Sequence, residues 1–62
     1  MDIVDFCIQW EQGDFIVNNE KELKEIIEYC KTLSQSQGKY KRLLDLLTTY
    51  QAQGAIKYPF TI

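Results

Sequence analysis

The chain has 62 residues, 45% of them apolar and 13% aromatic, with a formal net charge of −2 and no histidine. A chain of this order supports one core and buries only about 60% of the surface its unfolded form exposes, so one small domain over residues 1–62 is expected, stabilised by a dense core or by a partner. The longest uninterrupted apolar runs are three residues, against about 20 for a membrane-spanning helix, so a membrane role is excluded at this level.

Residues 3–11 alternate, with Val4, Phe6, Ile8 and Trp10 on one face and Asp5, Cys7, Gln9 and Glu11 on the other. This is the pattern of a half-buried strand. Ile3, Phe6, Cys7 and Trp10 also satisfy helical spacing. Gln12-Gly13 favours the strand, because Gly accepts the positive φ of a two-residue hairpin turn and residues 14–18 resume a β-rich run. Folding there sets Trp10 opposite Phe15 and Ile8 opposite Val17, with the large apolar residues of both strands on one face.

A helix is expected over 19–33. Asn19 is a good N-cap, Glu22 completes a capping-box pattern, and Leu23, Ile26, Ile27, Cys30 and Leu33 form the apolar stripe. Glu20 and Lys24 are spaced for an i,i+4 ion pair. Ser34 to Gly38 interrupts the pattern, and a second helix over 39–53 carries Tyr40, Leu43, Leu44, Leu47 and Tyr50, with Gly54 as its stop. The tail alternates again through Ile56, Tyr58, Phe60 and Ile62 and reads as a third strand. Pro59 places that strand at a sheet edge.

The expected fold is therefore α+β with the order ββααβ: a three-stranded sheet with a helical hairpin packed on one face. Strand three should run antiparallel to strand two. The far sheet face should be polar apart from Ile3, Cys7 and Ile16. The alternative is a mainly α chain with one long helix in a coiled coil, since positions 23, 26, 30, 33, 37, 40, 44, 47 and 51 form a heptad series.

A search for chemistry returns absences. Without histidine the commonest general base and neutral metal ligand are missing. Cys7 and Cys30 are not a zinc framework, and the acid beside Cys7 opposes thiolate formation. No phosphate-binding glycine loop occurs among the three glycines. The sequence thus leads to a non-enzyme with no cofactor, no metal and no catalytic residue. Two cysteines and no export signal fit a reduced, cytoplasmic compartment.

Charge is unevenly placed. Residues 1–18 carry Asp2, Asp5, Glu11 and Asp14 with no cation, whereas residues 31–62 carry Lys31, Lys39, Lys41, Arg42 and Lys57 against Asp45 alone. Lys39, Lys41 and Arg42 cluster at the start of the second helix, where cations oppose the helix dipole. They are candidates for binding a partner's carboxylates or a phosphate. The plainer reading pairs Lys41 with Asp45 and sends the other two across the hairpin to Glu28. Tyr29 and Leu46 flank the helical stripes; they either widen the buried face or extend an apolar contact surface. Trp10 is expected as a core anchor beneath the helices, with an exposed binding hot spot as the alternative.

The functional expectation is a non-catalytic cytoplasmic protein-interaction module, such as a bacterial or phage accessory or regulatory protein, with a protein partner or a second copy as a homodimer. The alternative is a nucleic-acid or phosphate binder using Lys39 to Arg42. Duplex binding is disfavoured, because three clustered cations neutralise few phosphates.

Overall fold

The computed structural model describes residues 1–54 and 56–62. The elements run α1 (Ile3–Glu11), β1 (Ile16–Val17), α2 (Glu20–Leu33), α3 (Gly38–Gln53) and β2 (Phe60–Thr61). Among the described residues the fold is α+β, with three helices and a two-stranded antiparallel sheet. The three-stranded sheet is not formed, because the segment expected as its first strand is a helix.

Local chemistry explains that correction. Asp2 has extended backbone, and its side chain accepts a hydrogen bond from the Asp5 N–H at 2.8 Å, an N-cap interaction. The helical set then turns inward. Phe6 is fully buried, with Ile3, Cys7 and Trp10 partly buried, whereas Val4 and Ile8 remain 61% and 51% exposed. A helix satisfies the backbone of this segment internally, and a strand would need a neighbour to do so. The apolar face at helical spacing is as large as the one at strand spacing, so hydrogen bonding decides between them.

Gln12-Gly13 ends α1 and closes no hairpin. The Gln12 N–H donates to the Ile8 carbonyl at 3.2 Å and the Gly13 N–H to the Trp10 carbonyl at 3.0 Å. Gly13 then takes φ +93° and Asp14 φ +54°, two left-handed residues that turn the chain away from the helix axis. The expected second strand shortens to β1. It pairs with β2 in the register Ile16–Thr61 and Val17–Phe60, and the Ile62 N–H extends the ladder to the Phe15 carbonyl at 2.9 Å. The antiparallel relation expected between the second strand and the tail is present. The far sheet face, expected to be polar apart from Ile3, Cys7 and Ile16, is not formed as expected, because Ile3 and Cys7 belong to α1. The tail strand also shortens, to Phe60–Thr61, and Ala55 lies outside the described residues.

The helical hairpin follows the sequence closely. The Asn19 side chain accepts from the Glu22 N–H at 2.9 Å. Glu22 returns a carboxylate one residue earlier than a standard capping box, accepting from the Asn18 N–H at 2.8 Å. Glu20 and Lys24 approach to 3.6 Å. At the far end the Ser36 and Gln37 N–H groups both donate to the Leu33 carbonyl, at 3.1 and 2.9 Å. The chain reverses there, so the continuous coiled-coil helix does not form. α3 ends at Gly54, whose φ of +73° is the left-handed stop expected of it.

Leu23, Ile26, Ile27 and Cys30 of α2 meet Tyr40, Leu43 and Leu47 of α3 in one core, which Phe15 and Val17 close. Phe6 brings α1 into it. Its ring lies 5.3 Å from Phe15 in an edge-on arrangement, 5.8 Å from Tyr29, 6.2 Å from Tyr40 and 6.4 Å from Trp10. Each such pair adds about 0.5–1.5 kcal/mol beyond the area it buries, so one side chain couples three helices and the β1 approach.

Candidate functional site

Three of the five residues singled out by the sequence come together. Lys39, Arg42 and Leu46 of α3, with Leu43, form one wall of an open groove of about 360 Å³, and Trp10 and Ile62 complete it. Helical spacing accounts for the wall, because positions 39, 42, 43 and 46 recur on one face of α3. Leu46 is 47% exposed there. Trp10 is partly buried. Its ring centroid is 5.0 Å from Tyr40, so the core fixes one side of the indole and the groove receives the other.

Lys41 and Tyr29 fall elsewhere. Lys41 is exposed and does not line the groove. Tyr29 is half-buried: its ring packs on Phe6, and its hydroxyl donates to the Met1 carbonyl at 2.5 Å. It fastens the start of the chain to α2, so a widened buried face describes it better than a contact surface.

The basic cluster is divided. Lys39 donates to Glu11 at the end of α1, and its Nζ sits 5.3 Å from the Tyr40 ring centroid. Among the described residues neither Lys41 nor Arg42 makes an ion pair, and Glu28 is held by Lys31 at 3.1 Å. The pairings expected across the hairpin and along α3 are therefore replaced by one between α1 and α3. α3 has no acidic residue in its first turn and no side-chain cap. Glu11 supplies the missing negative charge near that N-terminus.

The Glu11 carboxyl is held below its ordinary pKa, chiefly by the hydrogen bond from Lys39 and then by the charge of Lys39. Tyr40 also donates to Glu11, at 3.4 Å, and burial pushes its phenol well above the usual range, with the Cys7 thiol and the Glu11 charge adding to the effect. Burial pushes the Cys30 thiol up to about 12, with Cys7 adding to it. Both groups stay protonated at neutral pH, which suits packing and opposes nucleophilic use. Among the described residues no three His, Cys, Asp or Glu side chains are grouped to hold a metal, and no helix is long and apolar enough to cross a membrane.

The sequence reading missed Ile62 and held the outward side of Trp10 only as its second reading. The signal for Trp10 was present in the helical rival pattern at 3, 6, 7 and 10, which places it at the edge of the buried face. Ile62 carries no local signal, because its position depends on the pairing of the tail with β1. No protein-family model matches the chain, and no curated protein or solved structure does so either.

Proposed function

We propose that this protein is a non-catalytic, cytoplasmic interaction module that binds another protein through the groove between Trp10 and Leu46. The observation that carries this reading is the groove's composition: apolar walls from Trp10, Leu43, Leu46 and Ile62, with Lys39 and Arg42 as the only charged lining among the described residues. An aromatic anchor held by the core, beside an exposed aliphatic residue and an arginine, is the residue mixture found at the energetic centres of protein interfaces. A phosphate-tracking surface would present more cations and fewer aliphatic walls. Division of the basic cluster by the Glu11–Lys39 pair further favours a protein ligand over a nucleic acid.

Position-specific photocrosslinking in a lysate of the source cells tests this. A crosslinker at position 46 should capture a discrete protein that the same group at position 24, on the outer side of α2, does not. Equal capture from both positions, or none from 46, would overturn the reading.

A further inference from the structure

A second groove lies further along the same helix. Tyr50 and Gln53 of α3, with Ile56, Lys57 and Phe60 of the tail, line an open depression of about 210 Å³. The α3 residues of the two grooves, at 39, 42, 46, 50 and 53, follow steps of three and four, so they lie on a single face of the helix. The opposite wall is the tail in both, through Ile62 in one and Ile56, Lys57 and Phe60 in the other. The grooves are thus two ends of one seam between α3 and the tail. Leu46 of the first and Tyr50 of the second are large apolar residues one helical turn apart, 47% and 40% exposed.

Charge along the seam runs against that of the whole molecule. The chain carries a net charge of −2, yet among the described residues no acid lines either groove, and Lys39, Arg42 and Lys57 do. Lys39 is neutralised by Glu11. Among the described residues Arg42 and Lys57 have no ion-pair partner. A further depression, bounded by Glu20, Leu23 and Tyr58, does carry an acid.

Resting on the interaction reading above, we infer that the occupant of the seam is an acidic, amphipathic segment of a partner protein. One apolar side chain enters the Trp10–Leu46 groove, a second enters the Tyr50–Phe60 groove, and carboxylates meet Arg42 and Lys57. The groove centres are about nine residues apart on α3, roughly 13 Å at 1.5 Å per residue. The two apolar anchors of the segment are therefore about eight or nine positions apart if it is helical, or four if it is extended. Carboxylates opposite Arg42 and Lys57 fix the direction in which the segment lies and exclude basic competitors.

A phage-displayed random 16-residue peptide library, selected on the full chain at low salt, supplies the probes, and the lone Trp10 reports occupancy of its groove by fluorescence. Enriched peptides should hold two apolar residues at one of these spacings with flanking Asp or Glu, and should shift Trp10 emission. Arg42→Glu with Lys57→Glu should weaken them by at least about tenfold, whereas Lys21→Glu with Lys24→Glu, the same charge change on α2, should alter affinity less than about twofold. Enrichment of neutral or basic peptides that still shift Trp10 would overturn the acidic-segment inference and leave the interaction reading intact. Peptides that bind without shifting Trp10, no enrichment at all, or binding only of an oligouridine added in parallel would overturn both.

Discussion

Glu11, the last residue of α1, accepts a hydrogen bond from Lys39 in the first turn of α3, a partner 28 positions away in sequence. The Tyr40 hydroxyl reaches the same carboxylate oxygen at 3.4 Å. This pairing joins the acidic beginning of the chain to its basic half and leaves Arg42, among the described residues, as the cation of the Trp10 groove without an ion-pair partner.

Acid should release this link. Because the folded pKa of Glu11 lies below its ordinary 4.5, its contribution to stability is complete above pH 4.5 and is lost as pH falls through the folded value. Thermal unfolding of the wild type should weaken on acidification below pH 4.5, and Lys39→Met should show a smaller decline over the same window. Identical acid slopes in the two proteins would remove Lys39 as the cause.

Alkali should act through Cys30. Its thiol is raised from 9.0 to about 12, so between those values the unfolded chain has given up a proton that the folded chain keeps, and stability falls with rising pH. Urea midpoints should decline from pH 9 toward 12. Cys30→Val, close in volume, should flatten the decline without abolishing it, because the buried Tyr40 phenol acts in the same direction. An unchanged slope in Cys30→Val would show that the thiol is not responsible.

Substitutions within α1 separate the helix from the strand it replaced. A strand would bury Val4, Phe6, Ile8 and Trp10 together. The helix buries Phe6 and exposes Val4 and Ile8. Val4→Gln and Ile8→Gln should each change stability by less than about 0.5 kcal/mol, whereas Phe6→Ala should cost about 3–5 kcal/mol. That cost approaches the whole stability of a small domain, so Phe6→Leu is the companion variant with a measurable fold. Comparable losses at Val4 and Phe6 would contradict the helix.

The glycines offer a matched pair. A Cβ at Gly13 or Gly38 meets no atom within 4 Å, but only Gly13 has a positive φ, at +93°. Gly13→Ala should therefore cost about 1–2 kcal/mol through backbone strain alone. Gly38→Ala, at the first residue of α3, should be neutral or stabilising by about 0.5 kcal/mol. Denaturant titrations of the two variants read this difference directly.

Much of the fold was legible where local rules act without competition. Asn19 and Glu22 marked the start of α2, its apolar stripe named the buried face, and Gly54 marked the end of α3. Residues 3–11 were ambiguous because Phe6 and Trp10 satisfy both periods, and Gly13 serves a helix end as readily as a hairpin. The clue that separates the two is Asp2 as an N-cap, a single residue outweighed by an attractive turn. At the candidate site, Lys39, Arg42 and Leu46 were visible as unusual members of their helix. Trp10 and Ile62 were not visible as their neighbours.

Sequence alone determined which faces of α2 and α3 are apolar, where those helices begin and end, and that cations gather near the start of α3. These follow from periodicity and capping, which operate within a few residues. Tertiary structure decided which partners surround Phe6 on the buried face of α1, that Glu11 takes Lys39 out of the basic cluster, and that the tail lies beside α3 to form the seam. Those outcomes depend on contacts between residues far apart in the chain, whose closure is set by the shared core around Phe6 and Tyr40 and by no local pattern.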